Sequence, residues 1–282
     1  MPSSPLIGAA ALQDRLGDPA LVILDASWYL PNSGRDAHAE FIEGHLPGAQ
    51  FFDIDLASDR SSPLPHMLPP AAEFEATARA LGISAGDEVV VYDGSGVNLS
   101  AARVWWMFRA FGHSRVRLLD GGLGGWRSEG RPFESGAGRR PPAGDFHAAL
   151  QPGQVRTLDE VRAILDSGSA QVVDARPAGR FRGVDPEPRA GLRGGHMPGA
   201  LNLPYADLVD ATGRMLPADA LRARLRAAGI ESERPVVATC GSGTSSCAVL
   251  LALEVLGAPA GALYDGSWTE WGGRDDVPVA AE

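Results

Sequence analysis

The sequence predicts an α/β protein built from two tandem domains of the same fold, each a parallel sheet with helices on both faces. Two observations lead to this prediction. The second half of the chain repeats motifs of the first half, and in both halves short apolar segments alternate with longer amphipathic ones. Strands that alternate with helices form a parallel sheet, because a crossover connection joins each strand to the next.

The repeat consists of four blocks that occur in the same order in both halves. The spacing between equivalent residues is nearly constant, from 145 residues (Asp120 to Asp265) to 151 residues (Gly44 to Gly195). The paired blocks are residues 21–26 and 171–175, 44–49 and 195–200, 89–96 and 236–243, and 119–126 and 264–271. Such spacing indicates an internal duplication.

Strands and helices next to these blocks follow from the apolar pattern. Short and continuously apolar runs are typical of buried strands, and longer segments with helical spacing are typical of helices that pack on a sheet. Strands are predicted at 21–24, 89–92, 172–173 and 236–239, and helices at 100–111 and 244–256.

The domain boundaries follow from local composition. Residues 136–152 are rich in Gly, Pro, Ala and Arg and have no clear apolar period, so we predict a linker there. Residues 1–135 then form the first domain and residues 153–282 the second. Each has about 130 residues, a usual domain size.

Composition and charge limit the classes of function. The 282 residues are 44% hydrophobic and 21% charged, as in globular proteins, and the net charge of −10 argues against a nucleic-acid partner. No secretory signal or membrane-spanning segment is visible, so we expect no membrane partner. The two cysteines, Cys240 and Cys247, favour free thiols in the reducing cytoplasm. Their number and the scattered histidines suggest no metal site.

The segment around Cys240 is the most informative part of the sequence. A predicted strand ends at this cysteine, a loop rich in Gly and Ser follows, and a helix comes next. Ligands of parallel sheets bind at the carboxyl ends of the strands. The N–H groups of such a loop and the positive end of a helix dipole favour the thiolate form of a cysteine. We therefore predict that Cys240 is a nucleophile.

Other interpretations of the loop are weaker. A cysteine at a strand end often only packs in the core, but the first half has the same loop with Asp93 in place of the cysteine, which makes that half catalytically inert. A phosphatase loop would need an arginine at position 246, where Ser246 stands. Cys247 either packs against the sheet or acts as a resolving cysteine.

From about Leu21 to Val279, the sequence resembles the tandem-domain sulfurtransferases of the rhodanese family, and in particular their 3-mercaptopyruvate branch. The loop Cys-Gly-Ser-Gly-Thr-Ser at 240–245 is similar to the Cys-Gly-Ser-Gly-Val-Thr of that branch. Residues 25–30, 62–69 and 264–272 are also similar. The thiosulfate branch has Cys-Arg-Lys-Gly instead, so a neutral loop favours mercaptopyruvate as the donor.

The resemblance also implies a set of donor-binding residues. Arg180 and Arg189 match the arginines that bind the substrate in the family, and a guanidinium fork suits a carboxylate and a keto oxygen. The alternative is that these arginines belong to a solvated basic loop. The loop residues expected around the donor are Gly241, Gly243, Thr244 and Ser245, of which the last two depart from the family pattern.

A proton has to reach the pyruvate enolate as it leaves, and Ser242 is well placed within the loop to supply it. A histidine can polarise such a serine. The resemblance favours His45, with Asp36 as its orienting carboxylate, and this would place the site between the domains. The alternative is that His45 braces a turn, as the repeated motif of His196 suggests. His66 lies in a family-like stretch but is assigned no step.

The implied reaction moves a sulfane sulfur from 3-mercaptopyruvate to cyanide or a thiol through a persulfide on Cys240, without a cofactor. Thioredoxin is one candidate protein thiol. Two alternatives stay open: a thiosulfate sulfurtransferase, and a non-catalytic sulfur carrier or regulatory module. Loss of the nucleophile from both halves would mark the last, and Cys240 is present.

Overall fold

The computed structural model of this chain describes residues 4–281, and the outermost residues of the predicted domains, at positions 1 and 282, lie outside them. Within the described residues there are ten strands and ten α-helices. The strands are β1 (Leu6–Ile7), β2 (Leu21–Asp25), β3 (Gln50–Phe51), β4 (Glu88–Tyr92), β5 (Val116–Leu119), β6 (Val155–Arg156), β7 (Gln171–Asp174), β8 (Leu201–Asn202), β9 (Val236–Thr239) and β10 (Ala262–Tyr264).

The helices lie between the strands or follow the last strand of each half. They are α1 (Ala9–Gln13), α2 (Ala37–Glu43), α3 (Ala71–Ala80), α4 (Ala101–Ala110), α5 (Gly122–Ser128), α6 (Leu158–Ser167), α7 (Ala178–Phe181), α8 (Ala218–Ala227), α9 (Cys247–Val255) and α10 (Ser267–Trp271). Short 3₁₀ helices occur at Pro31–Ser33 and Tyr205–Leu208.

The chain folds into two compact units that each contain one sheet. The first unit comprises the described residues up to Asp59, together with Leu68–Gln151 and Asp210–Met215. The second comprises Arg60–Met67, Pro152–Val209 and the described residues from Leu216 onward. Residues 60–67 therefore belong to the second unit although they lie in the first half of the sequence.

The sheet of the first unit has the strand order β1-β5-β4-β2-β3, and all its pairings are parallel. The central pair is in register with Val22 opposite Val89. Ile23, Val90 and Trp126 are among the buried residues of its core. Burial of apolar side chains on a parallel sheet supplies most of the stability of such a unit.

The sheet of the second unit repeats this arrangement, with the order β6-β10-β9-β7-β8 and parallel pairings throughout. Val172, Val237 and Trp268 are part of its core. β9 pairs with both β7 and β10, so it lies in the middle of the sheet. Cys240, the residue after β9, is therefore at the carboxyl edge of a central strand. The predicted α/β fold with two parallel sheets is confirmed.

Two segments differ from the sequence-based expectation. Helix α9 begins at Cys247 rather than at residue 244, because the preceding residues form a turn in which the N–H of Cys247 donates to the carbonyl of Thr244. The expected linker, 136–152, lies mostly in the first unit. Its Phe146 is buried there against the rings of Phe74 and Phe108. Burial of an aromatic ring in a core is more favourable than its exposure to water in a linker.

Among residues 4–281, no helix is both long enough and apolar enough to span a membrane.

Candidate active site

The backbone of Cys240 is held by the segment that follows β10. Its N–H donates to Oγ of Ser267 over 3.2 Å, and its carbonyl accepts from the N–H of Trp268 over 2.9 Å. The residue is only 2% exposed. The thiol thus lies in a fixed position at the end of a rigid strand, as a preorganised nucleophile requires.

The environment of the Cys240 thiol favours the thiolate. Burial raises its pKa, but hydrogen bonds from the hydroxyls of Ser245 and Ser246 and from the N–H groups of Ser246 and Ser242 outweigh burial and lower the pKa below the usual range. Oγ of Ser246 is buried and makes no other hydrogen bond among the described residues.

Two glycines shape the loop around the sulfur. Gly243 has a φ of +74°, a left-handed conformation that side chains rarely adopt. Gly241 allows a guanidinium to come close: a Cβ at this position would lie 3.1 Å from Nη2 of Arg180. The structure thus brings Arg180 to the loop of residues 240–245, which we call the reactive loop.

The orientation of Arg180 is set by a buried chain of charges. Its guanidinium pairs with Glu187, whose other carboxylate oxygen accepts from Nη1 of Arg176 over 2.7 Å. Arg176 is in turn paired with Asp174 at the end of β7. Arg176 and Glu187 are almost fully buried, whereas the Arg180 side chain is 19% exposed. This leaves Arg180 as the member of the chain that is open to a ligand.

The buried Nε of Arg180 has no hydrogen-bond partner among the described residues. An unsatisfied buried donor is costly unless a ligand satisfies it. Arg189, the other predicted donor-binding residue, is half-buried in the segment after Glu187.

Ser242 is 6% exposed, and its hydroxyl is paired with His66. Nδ1 of this histidine lies 3.0 Å from Oγ of Ser242 and 3.2 Å from Oγ1 of Thr244. All three residues belong to the second unit, because residues 60–67 fold with it. In the sequence, only the surroundings of His66, which resemble those in the family, point to this residue, and they indicate no step for it.

The two residues predicted to assist Ser242 make local contacts in the first unit. His45 is 1% exposed, its Nδ1 lies 2.7 Å from the carbonyl oxygen of Phe41, and its ring stacks on that of Phe41. The ring of His196 makes the same two contacts with Phe181. Asp36 is the N-cap of α2, where its Oδ1 accepts from the N–H of Ala39. These contacts brace turns and helix ends.

The equivalent loop of the first unit holds an anion of its own. The carboxylate of Asp93 accepts from the N–H groups of Ser95, Ser100 and Ala101 over 2.8–3.0 Å. A loop of this shape therefore provides backbone donors for a negative charge. In the second unit, the group at that position is the thiol of Cys240.

Cys247 is fully buried at the start of α9, and its Sγ donates to the carbonyl oxygen of Gly243 over 3.4 Å. This contact ties the helix to the reactive loop. Among the described residues, no cluster of three or more His, Cys, Asp or Glu side chains is arranged to bind a metal ion.

A sequence model of the rhodanese-like domain matches the chain twice, at residues 8–129 and 157–274. The chain belongs to the rhodanese family. Each matched region carries four of the five strands of one sheet, and the loop of Cys240 lies in the second region. The resemblance to this family, which the motifs of the sequence indicate, is thus confirmed.

Individual members of the family are similar over nearly the whole chain. Human 3-mercaptopyruvate sulfurtransferase is 47% identical over 270 residues, which cover 95% of this chain and 90% of the human protein. Bovine thiosulfate sulfurtransferase is 43% identical over 255 residues, with 90% and 85% covered. The crystal structure of SseA from Escherichia coli, a rhodanese fold, superposes with a TM-score of 0.86 at 40% identity, with 94% and 99% covered.

Proposed function

We propose that the protein is a 3-mercaptopyruvate sulfurtransferase that carries sulfur as a persulfide on Cys240. The observation that carries this proposal is that the Cys240 thiol has a lowered pKa and that Arg180 lies beside Gly241 in the loop of this thiol. The similarity to the human enzyme over 95% of the chain supports the same reaction. The absence of arginine and lysine from positions 241 and 242 supports a monoanionic donor over thiosulfate.

In the first half-reaction, the Cys240 thiolate attacks the sulfur of 3-mercaptopyruvate. A sulfur–sulfur bond forms, the carbon–sulfur bond breaks, and its electron pair goes to the organic fragment as the enolate of pyruvate. A proton converts this enolate into pyruvate. The persulfide on Cys240 is then stabilised by the same N–H and hydroxyl donors that lower the pKa of the thiol.

We assign the proton transfer to Ser242 and His66 instead of Ser242 and His45. The distance of 3.0 Å between Nδ1 and Oγ is suited to a hydrogen bond through which a proton moves. His45 is engaged with Phe41 in the other unit. In this proposal, the serine hydroxyl donates to the enolate and recovers its proton from His66.

Arg180 and Arg189 are proposed to bind the carboxylate and keto oxygen of the donor. Glu187 keeps Arg180 beside Gly241 and so directs its free edge to the ligand. A bidentate guanidinium–carboxylate contact would also satisfy the Nε of Arg180 that is buried without a partner among residues 4–281.

In the second half-reaction, an acceptor attacks the outer sulfur and releases the Cys240 thiolate. Cyanide would give thiocyanate, and a thiol, such as that of thioredoxin, would give a persulfide of its own. Neither cysteine forms a disulfide among the described residues, which is consistent with the reducing cytoplasm that we propose as the compartment.

The test is a side-by-side measurement of turnover with 3-mercaptopyruvate and with thiosulfate, with cyanide as the acceptor and thiocyanate as the readout. A preference of at least tenfold in kcat/KM for mercaptopyruvate is expected, about 1.4 kcal/mol of transition-state binding. The similarity to bovine thiosulfate sulfurtransferase makes thiosulfate the second candidate donor. A preference for thiosulfate would refute mercaptopyruvate as the donor, but the assignment as a sulfurtransferase would still hold.

A further inference from the structure

The segment after β10 carries two hydroxyl side chains that bind the reactive loop from outside. Oγ1 of Thr269 donates to the carbonyl oxygen of Gly241 over 2.6 Å, and the N–H of Thr269 donates to the same oxygen over 2.9 Å. Oγ of Ser267 accepts from the N–H of Cys240. Neither residue has a step in the reaction described above.

The contact of Thr269 determines where one of the thiolate's donors points. A trans peptide group is planar, and its C=O and N–H lie on opposite sides. Because Thr269 holds the carbonyl of Gly241 on its own side, the N–H of the same peptide, which belongs to Ser242, points the other way. That N–H is one of the donors that lower the pKa of Cys240.

The hydroxyl of Ser267 is fully occupied by the backbone and by a neighbouring side chain. It donates to the carbonyl of Tyr264 over 2.8 Å and accepts from the N–H of Cys240 and from Oγ1 of Thr239. A hydroxyl has one proton and two lone pairs, so none is left for the sulfur. Ser267 therefore acts on the position of Cys240 and not on its charge directly.

Ser267 also adopts a backbone conformation that favours glycine. Its φ is +50°, and the equivalent residue of the inert unit, Gly122, has a φ of +52°. A non-glycine residue in this region is held at a cost in energy. At this position, the unit that contains Cys240 has a serine hydroxyl, whereas the other unit has Gly122 and no side chain.

The inert unit keeps the backbone contact but not the hydroxyls. The N–H of Leu123 donates to the carbonyl of Asp93 over 3.0 Å, as that of Trp268 does to Cys240. At the positions of Ser267 and Thr269 it has Gly122 and Gly124. The two hydroxyls are thus present in the unit that contains Cys240 and missing from the equivalent positions of the other unit.

We propose that Ser267 and Thr269 are positioning residues that hold the Cys240 loop in the form that stabilises the thiolate and the persulfide. Thr269 acts through the N–H of Ser242, and Ser267 acts through the backbone of Cys240. The inference rests on the proposed function for its kinetic consequences, but its effect on the thiol is independent of any donor.

The first experiment compares Thr269→Val, which removes the hydroxyl at constant shape, with Thr269→Ser, which keeps it. The rate of carbamidomethylation of Cys240 by iodoacetamide is followed against pH, with peptide mass spectrometry to separate Cys240 from Cys247. We expect Thr269→Val to move the midpoint to higher pH and Thr269→Ser to restore it. For turnover of mercaptopyruvate, we expect a loss in kcat of about tenfold, with KM changed less than about threefold.

The second experiment uses Ser267→Gly. This substitution removes the hydroxyl and at the same time relieves the backbone strain at position 267. The melting temperature should be kept, while the midpoint for Cys240 moves to higher pH. An unchanged midpoint in both Thr269→Val and Ser267→Gly would overturn the proposal, and so would a fall in melting temperature without a shift of the midpoint. Absence of turnover in the unmodified protein would refute the proposed function and leave the alkylation result valid.

Discussion

His66 and Ser242 form a hydrogen bond with 3.0 Å between Nδ1 and Oγ, although 176 residues separate them in the sequence. The backbone of His66 is in the left-handed region with a φ of +59°, and the side chain is buried. A histidine held in such a conformation against a serine of the Cys240 loop supports the proton transfer that we propose for this pair.

Replacement of His66 by Asn should lower kcat for mercaptopyruvate about 10²–10³-fold, because general acid–base assistance contributes on this scale. Asn tolerates the left-handed conformation, so the fold should be kept. The rate of Cys240 alkylation should change little, since the main hydrogen bonds that lower the pKa of the thiol come from Ser242, Ser245 and Ser246. Steady-state kinetics with the alkylation assay would check both.

The matched control for His66 is His45→Asn. His45 packs on Phe41 and bonds to its carbonyl, so its loss should lower the melting temperature and keep kcat within about threefold. A loss of kcat in His45→Asn that equals the loss in His66→Asn would instead support the pairing of Ser242 with His45.

Cys240→Ser should abolish sulfur transfer, because a serine hydroxyl cannot form the persulfide. Measurable turnover in Cys240→Ser would exclude Cys240 as the sulfur carrier.

Ser246→Ala tests the stabilisation of the Cys240 thiolate. The substitution removes one of the hydroxyls that lower the pKa of Cys240, so the rise of the alkylation rate with pH should move to higher pH.

Arg180→Lys should raise KM for mercaptopyruvate about tenfold or more, since an ammonium cannot replace the guanidinium fork beside Gly241. Arg182→Lys is the matched control, two residues away and exposed, and should leave KM unchanged. Equal effects of both substitutions would show that the charge of this segment, and not the geometry of Arg180, binds the donor.

Asp93→Asn should destabilise the first unit by about 2 kcal/mol, because an amide nitrogen would face N–H groups that the carboxylate now satisfies. Hydrogen exchange of residues 95–101 should accelerate. The alkylation of Cys240 in the other unit should keep its rate. Unchanged exchange at these residues would mean that the carboxylate does not hold the loop.

His113 should make stability depend on pH. Burial lowers its pKa in the folded state, so below the ordinary histidine pKa of about 6.5 the unfolded chain binds more protons than the folded one. The stabilisation is complete above that pH and is lost as the pH falls. The melting temperature should thus drop between pH 7 and pH 5, and His113→Phe should flatten this slope. The exposed His38, replaced by Gln, should leave the slope as it is.

The sequence by itself determined the fold and the position of Cys240 within it. The predicted strand at 236–239 has the same limits as β9, because a short apolar run bounded by polar turn residues is typical of a buried strand. The repeat predicted two domains of the same fold, and the two sheets have the same strand order. A cysteine directly after such a strand has to lie at the carboxyl edge of the sheet.

The partners of that cysteine were decided by the tertiary structure. Apolar period and motif spacing describe neighbours along the chain, whereas His66 reaches Ser242 only because residues 60–67 fold with the second unit. In the same way, Thr269 meets Gly241 because β10 runs beside β9. A short sequence pattern contains no information on such contacts, because they depend on how distant segments pack when the core is buried.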